Sequence, residues 1–297
     1  MITTLPYGHD FYCVGSPLDR CRRQDILAIE RESDAGTSYG GTRLWGSLGF
    51  LVASVGGGRC LDPESPTALP VIIAVPLFVA LLSAFAIPVR KPAVSGPLTT
   101  EIRALLATDF PLLLGTAFVA ELAISSHELC YSLYLSDLGA SSAFIGFAWG
   151  LAVVVEILVM ARAAQLIDRF RAPRLIVFAL CGVACRCALL ATLGSLPAIL
   201  AVQLLHAPSV ALFWIAALSY LKQRTPPRAF ATAQGIFAAT TGAGSVVGML
   251  TWGALYSHVG GRGTFWTAAV AAIAAALLAV RWTVSLGRPD GNRESRT

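Results

Sequence analysis

Residues 110–135 read FPLLLGTAFVAELAISSHELCYSLYL, a nearly continuous apolar run that contains two glutamates and a histidine. An apolar run of about 17–25 residues can cross a bilayer core about 30 Å thick as an α-helix. Seven more runs of this kind occur in the chain, which gives eight predicted membrane spans. They lie at about 44–60, 67–89, 109–135, 141–166, 173–193, 196–221, 228–257 and 264–284.

The composition also indicates a lipid environment. Hydrophobic residues make up 56% of the 297 residues and charged residues only 13%, whereas soluble domains carry about 25% charged residues. The chain has too little polar surface to cover a soluble globule, so we predict an all-α polytopic membrane protein whose surroundings are the lipid bilayer. The net charge of +5 comes mostly from basic residues between the spans. The positions of these basic residues therefore indicate the orientation of the chain in the membrane and do not indicate a nucleic-acid partner.

The loops between the predicted spans alternate in charge. One set, together with the C-terminal tail, holds 14 basic residues, and the opposite set holds only Arg59 and Arg262. Since cytoplasmic loops carry the excess of Lys and Arg, we predict that the richer set and the C-terminus are cytoplasmic. Eight spans then place the N-terminus in the cytoplasm as well. The expected location is the inner (cytoplasmic) membrane.

A basic linker rich in proline and glycine divides the spans into a group of two and a group of six. It contains Pro88, Pro92, Gly96 and Pro97, a composition typical of an irregular connection. We therefore predict five segments. They are a polar cytoplasmic segment (1–40), a two-helix segment (41–89), a cytoplasmic linker (90–108), a six-helix bundle (109–284) and a cytoplasmic tail (285–297).

Six ionisable side chains lie well inside the predicted spans, away from their ends. They are Glu121, His127, Glu128, Glu156, Arg186 and His206. A charged group at the centre of a bilayer costs roughly 2.5–3.5 kcal/mol on insertion scales, so such groups usually face a bundle interior or a water-filled pathway. The pattern predicts a transporter. For His127 and Glu128, a position at the extracellular interface where both simply reach water is an equal alternative.

The spacing of the polar residues predicts how they are arranged. Four of them recur at i, i+4, i+7 and i+11, which places them on one stripe of a helix. They are Glu121, Ser125, Glu128 and Ser132. Glu156 and Arg186 lie near the middle of adjacent spans, and pairing them would avoid an isolated charge in lipid. Such a pair is either a static link between two helices or a switch whose carboxylate binds solute or proton.

Two pairs of glycines stand four residues apart inside spans, Gly146 with Gly150 and Gly244 with Gly248. Small residues at this spacing let the backbones of two helices approach closely. We therefore predict tight helix packing at both pairs.

Several stretches of the chain resemble one family of membrane transporters. Residues 39–50 read YGGTRLWGSLGF, residues 146–157 read GFAWGLAVVVEI and residues 252–265 read WGALYSHVGGRGTF. Over about residues 27–284 the chain resembles the major facilitator superfamily, in the branch of lactose-permease-like, nucleoside-permease-like and 3-phenylpropionate-transporter-like proton symporters. The resemblance implies that the eight spans are helices 5–12 of a twelve-helix fold. Residues 41–89 would then be the remnant of an N-terminal bundle that lacks its first four helices.

The resemblance also implies a solute site. Glu156 and His206 match positions that bind solute in lactose-permease-like members, and Arg186 matches a coupling arginine. Trp149 and Trp214 are expected to form aromatic walls of the same site. We predict that proton coupling involves a further set of residues. It comprises Glu121, Glu128, Glu156, Arg186 and His127.

Two departures from the family pattern leave the proton carrier open. Ser209 stands where lactose-permease-like members have a proton-carrying glutamate, and Gly242 stands where they have a lysine. Asp168 and Arg169 match part of the family's cytoplasmic loop motif and are expected to form an ordering ion pair.

The sequence thus predicts a secondary active transporter that moves a small organic solute together with a proton. The expected solute is an aromatic acid, a nucleoside or a saccharide, and no cofactor or metal is expected. A complementary N-terminal fragment is a candidate partner. The alternative is a non-transporting membrane fragment or scaffold derived from such a transporter. An enzyme is not expected, because the sequence has no HExxH motif and no pair of aspartates inside the predicted spans.

Overall fold

The computed structural model describes Gly46, Gly49 and residues 69–86, 98–226 and 229–286. Throughout this part of the chain, helices follow one another with short turns, and none of its residues lies in a strand. The all-α prediction is confirmed. The predicted span at 44–60, the N-terminal segment 1–40 and residues 287–297 of the tail lie outside the described residues, apart from the two glycines.

The helices of residues 69–286 are numbered here in chain order. They are α1 (Leu69–Ala86), α2 (Leu98–Leu106), α3 (Phe110–Asp137), α4 (Ser142–Ala161), α5 (Ala163–Phe170), α6 (Ala172–Thr192), α7 (Leu196–Val202), α8 (His206–Arg224) and α9 (Phe230–Leu286). A 3-10 turn at Gln203–Leu205 joins α7 to α8. With Leu196–Arg224 taken as one unit, five helices of this part are long and apolar enough to cross a membrane, and a shorter apolar helix runs over Ile73–Ala86.

The predicted spans from residue 109 onward all coincide with helices, but one boundary was wrong. The span predicted at 141–166 ends at Ala161, because the backbone leaves the helical conformation at Arg162 (φ −105°, ψ 4°). The apolar residues that follow belong to α5, a short and strongly amphipathic helix. Their alternation with polar residues suits a helix lying along an interface better than one crossing the bilayer.

The predicted span at 196–221 is interrupted in its first half. Pro208 has no backbone N–H and cannot donate to the carbonyl of Leu204, which favours a break one turn earlier. The 3-10 turn at Gln203–Leu205 lies there. Ser209 Oγ donates to the carbonyl oxygens of Leu205 and His206 across 2.6 and 2.8 Å. His206 therefore begins α8 inside the span.

The spans predicted at 228–257 and 264–284 form one long element, α9, which contains a sharp break at Gly260. Gly260 has φ 66° and ψ −177°, a backbone conformation that is essentially restricted to glycine. The two predicted spans are therefore confirmed as two helical arms that meet at this residue. An added Cβ at the next residue, Gly261, would overlap the ring of Tyr134.

The core of the bundle lies between α3, α6, α8 and α9. α9 packs along α3 and α6, and α8 packs against α6 and α4. Alanines line much of this interior, while Phe213, Phe237 and Phe265 fill its wider parts. Small side chains bring the helices close, so the polar residues on their facing sides come within hydrogen-bonding distance of one another.

The close approach of α9 to α3 depends on Gly248. An added Cβ there would overlap Ser125 Oγ and lie 2.8 Å from the carbonyl oxygen of Leu122. The same carbonyl accepts a hydrogen bond of 2.6 Å from Trp252 Nε1. The packing predicted for Gly244 and Gly248 is thus present. By contrast, an added Cβ at Gly146 or Gly150 meets no atom within 4 Å among the described residues, and the packing predicted there is not observed.

Replacing Gly248 with Val is expected to lower the melting temperature of the purified chain in detergent. The new side chain would force α3 and α9 apart, and overpacking of this kind costs about 1–3 kcal/mol. Gly242→Val is the matched control, because Gly242 lies on the same helix and an added Cβ there meets no described atom within 4 Å. Equal melting temperatures for the two variants would contradict the close contact at Gly248.

Candidate functional site

Arg186 and His206 form a buried pair between α6 and α8. Arg186 has no exposed surface, and its Nη1 donates a hydrogen bond of 2.6 Å to His206 Nδ1. Because arginine only donates, His206 Nδ1 is the acceptor and a neutral His206 carries its proton on Nε2. Close approach of the two helices supports the pair, since an added Cβ at Gly182 would lie 3.2 Å from Ser209 Cβ.

This pairing gives Arg186 a different hydrogen-bond partner from the one expected from the sequence. Glu156, the expected partner, is half-buried on α4. It lies two helical turns beyond Trp149, about 10 Å along the helix axis. The Glu156–Arg186 pair stays a prediction.

His127 and Gln203 form a second buried pair beside the first. His127 Nε2 lies 3.1 Å from Gln203 Oε1, so this nitrogen donates and a neutral His127 accepts at Nδ1. Both side chains are fully buried, which removes the alternative that His127 simply reaches water at the membrane surface. The imidazole centroids of His127 and His206 are 5.2 Å apart. The two pairs therefore form one cluster.

Aromatic rings form one side of this cluster. His127 stacks on Tyr131 with ring centroids 4.4 Å apart. Trp149 meets His127 edge to face at 5.2 Å and Tyr131 at 5.7 Å. Its Nε1 donates a 2.9 Å hydrogen bond to Ser132 Oγ, which fixes the orientation of the indole. We call His127, Tyr131, Trp149, Arg186, Gln203 and His206 the polar cluster.

Several buried polar atoms of this cluster have no hydrogen-bond partner among the described residues. They are His127 Nδ1, Tyr131 Oη, Arg186 Nε, Arg186 Nη2 and Gln203 Nε2. Buried polar groups are nearly always hydrogen-bonded, and an unsatisfied one costs about 1–3 kcal/mol. A concentration of such atoms in one place is typical of a site that binds a polar ligand. Together they offer both donors and acceptors.

The four-residue stripe predicted on α3 divides between different environments. Glu121 is 7% exposed and lies beside Gly244 of α9, and its Oε2 has no partner among the described residues. Ser125 is buried on the same side. Glu128, in contrast, is exposed, and Ser132 accepts the hydrogen bond from Trp149. The stripe is therefore not one continuous wet face.

Trp214 lies apart from the polar cluster. It is eight residues beyond His206 on α8, about 12 Å along the helix axis. Its indole packs edge to face against Phe213 and Phe237, with centroid distances of 6.2 and 5.7 Å. None of the ring contacts of Trp214 among the described residues is with Trp149. A shared wall of the two tryptophans and a solute-binding role for Trp214 stay predictions.

Asp168 and Arg169, the two residues of the predicted loop motif, lie on α5 and are not part of the polar cluster. Asp168 and Arg169 are both exposed. The Arg169 guanidinium lies 5.3 Å from the centre of the Phe170 ring, a cation–π geometry. The ion pair expected between Asp168 and Arg169 stays a prediction.

Sequence reasoning did not assign Gln203 and Tyr131 to the site. Both are polar groups inside apolar runs, which was the signal that identified the charged residues. Gln203 also precedes His206 by three residues, and the 3-10 turn brings both to the same cluster.

The fold and the polar cluster define a polytopic membrane protein of transporter type. Residues 20–267 match the MFS_1 like family, which is well over half of the chain. The chain belongs to this family of the major facilitator superfamily and is an integral multi-pass membrane protein. The resemblance drawn from the sequence is confirmed.

Relatives and a solved structure agree with this assignment. The chain is 28% identical over 261 residues to a probable 3-phenylpropionic acid transporter of Escherichia coli, with 86% of the chain and 68% of that protein covered. It is 32% identical over 221 residues to the maltose permease of Geobacillus stearothermophilus, with 72% and 55% covered. The nucleoside transporter NupG (D323A mutant) has a similar fold, with a TM-score of 0.65 and 17% identity over 87% of the chain and 72% of that structure.

Two facts follow from these comparisons. The relatives are transporters, so the prediction that the chain is not an enzyme is confirmed. The aligned part of the chain spans about half the length of the maltose permease, 55% of that protein.

Proposed function

We propose that the chain acts in a secondary active transporter that moves a small organic solute together with a proton across the cytoplasmic membrane. The observation that carries the proposal is the polar cluster, which lies within the helix bundle and retains donors and acceptors that have no hydrogen-bond partner among the described residues. Solute sites of such transporters lie near the bilayer midplane and open to each side in turn.

The chemistry of the cluster favours a solute that joins a flat apolar face to an anionic or hydroxyl-rich group. Tyr131 and Trp149 offer ring surfaces, and Arg186 retains two N–H-bearing nitrogens without partners. A guanidinium matches a carboxylate with two parallel hydrogen bonds. We therefore favour an aromatic acid, as the name of the Escherichia coli relative suggests. A nucleoside or a saccharide is the second choice, since aromatic rings and amide groups also bind these.

Proton coupling is assigned to carboxyl groups near the cluster and to the histidines within it. Glu121 is the buried candidate on α3, and Glu156 is the half-buried candidate on α4. A carboxyl in a poorly solvated position gains a proton more readily than one in water, and a nearby arginine opposes this. If Arg186 moved between a carboxylate and the solute, protonation of that carboxylate would be linked to solute binding. Glu128 is exposed, so any part that it has in proton coupling is played from the surface of the bundle.

The proposal includes the topology expected from the charges of the loops, with both termini in the cytoplasm. It also includes a complementary N-terminal fragment as partner, because a solute site between two six-helix halves needs walls from both. The alternative remains a membrane scaffold without transport, and uptake measurements separate the two.

Glu156→Gln is expected to abolish accumulation of solute while the protein stays folded in the membrane. The amide preserves the size of the side chain but cannot exchange a proton. The measurement is acid-gradient-driven uptake of radiolabelled 3-phenylpropionate, uridine and maltose into proteoliposomes that contain the chain, alone and with an N-terminal fragment of a relative.

Asp109→Asn is the matched control, because it makes the same carboxylate-to-amide change at the start of α3, away from the cluster. It should accumulate solute as the unmodified chain does. Unchanged accumulation by Glu156→Gln would exclude the assigned role of Glu156. Absence of accumulation by the unmodified chain under both conditions would favour the scaffold.

A further inference from the structure

A second polar site lies at the junction of α4 and α5 and shares no residue with the polar cluster. It is a cavity of about 370 Å³, within the range of about 300–1,000 Å³ typical of small-ligand sites. Three of its lining residues are polar, namely Arg162, Gln165 and Arg169. The rest of the lining is apolar and includes Leu158 and Phe170.

The two arginines lie on the same side of the junction. Arg162 is the residue between α4 and α5, and Arg169 lies seven residues later, near the end of α5; both line the cavity. Both are exposed. Asp168, the acidic residue of α5, is not part of the lining. The cavity therefore carries an excess of positive charge.

The position of the cavity combines this charge with contact to lipid. Leu158 is 62% exposed near the end of the membrane-spanning helix α4, and Phe170 is 44% exposed at the end of α5. An amphipathic helix that directly follows a span lies at the level of the lipid headgroups. The cavity thus offers cationic groups at headgroup level and apolar side chains toward the acyl chains.

We propose that this cavity binds an anionic phospholipid of the adjacent leaflet, which is the leaflet predicted to be cytoplasmic. Arg162 and Arg169 would hold the phosphate through charge-assisted hydrogen bonds, and Gln165 would bond a headgroup oxygen. Leu158 and Phe170 would contact the first carbons of an acyl chain. Basic pockets beside membrane helices bind anionic headgroups in this way. The site is independent of the proposed transport cycle.

The test is native mass spectrometry of the full chain in detergent, titrated with dioleoyl phosphatidylglycerol and, separately, dioleoyl phosphatidylcholine. The chain should bind phosphatidylglycerol preferentially. The double variant Arg162→Gln, Arg169→Gln should bind it roughly 30-fold more weakly, because each basic residue contributes about five- to sixfold near an anionic headgroup. Binding of phosphatidylcholine should be unchanged.

Arg174→Gln, Arg281→Gln is the matched control, since it removes the same charge from exposed arginines outside the cavity. It should retain the preference for phosphatidylglycerol. If the control lost as much binding of phosphatidylglycerol as the cavity variant, the lipid would be held by the general positive charge of the protein, and the proposed site would be overturned. Full binding of phosphatidylglycerol by the cavity variant would also overturn it. Displacement of the lipid by millimolar glycerol 3-phosphate would also overturn it, because the site would then bind a free anion. Elution of each variant at the unmodified volume in size-exclusion chromatography confirms that it is folded.

Discussion

Replacing Arg186 with Met is expected to reduce the affinity for solute by about 100-fold or more. The guanidinium is fully buried, and two of its nitrogens have no partner among the described residues, so they are available to a solute. A hydrogen bond to a charged group contributes about 1.5–3 kcal/mol, and two such bonds would be lost. Arg186→Lys keeps the charge but not the planar pair of donors, and should recover only part of the affinity. The measurement is equilibrium binding of radiolabelled 3-phenylpropionate to the purified chain.

The stability of this variant separates a binding role from a structural one. Met is apolar and of similar length, so the substitution removes the cost of burying an ionised guanidinium and leaves only a neutral His206 without its hydrogen-bond donor. The melting temperature should therefore stay the same or rise while binding is lost. Arg174→Met, at the exposed start of the same helix, should change neither quantity. Full binding by Arg186→Met would exclude Arg186 from the site, and a large fall in melting temperature would assign it to the packing of α6.

Glu121→Gln is expected to eliminate proton-driven accumulation while solute exchange across the membrane continues. Glu121 is 7% exposed between α3 and α9, where the amide fits without a change of volume. The amide keeps the hydrogen-bonding capacity of a protonated carboxyl but cannot release a proton. In this variant, uptake of solute down its own gradient would be the same with and without a pH difference across the membrane. The measurement compares acid-gradient uptake with counterflow of the same labelled solute in proteoliposomes.

Loss of both uptake and counterflow in Glu121→Gln would mean that Glu121 supports the structure or binds solute. Retention of both would transfer the coupling role to Glu156. Asp109→Asn, on the same helix outside the bilayer core, should retain both activities.

The helices of this chain were largely predictable from the sequence because hydrophobic length alone decides what can cross a bilayer. The errors came where local features override that length. At Arg162 one basic residue ends the span, and the apolar residues beyond it belong to an amphipathic helix. At Gln203–Leu205 the missing N–H of Pro208 divides one predicted span. At Gly260, in contrast, the break separates two helical arms as predicted.

Four members of the polar cluster were singled out from the sequence, but Tyr131, Gln203 and the contacts within the cluster were not. An ionisable residue inside an apolar run is easily recognised in the sequence. Arg186, His127 and His206 were recognised in this way, and all three lie in the polar cluster. Their partners depend on how α6 and α8 are rotated and on the close approach at Gly182, which no spacing within one helix encodes. For the same reason, the hydrogen bond between Arg186 and His206 was not predicted, and the Glu156–Arg186 pair stays a prediction.

The central claim is that the polar cluster couples a solute to a proton, and solute-induced proton movement tests it most directly. Maltose, uridine or 3-phenylpropionate is added to a weakly buffered suspension of proteoliposomes that contain the chain and its N-terminal partner, and the external pH is recorded against protein-free liposomes. We predict that one solute makes the medium more alkaline and that Glu121→Gln or Glu156→Gln abolishes this change. Solute uptake without any change in pH would contradict proton coupling.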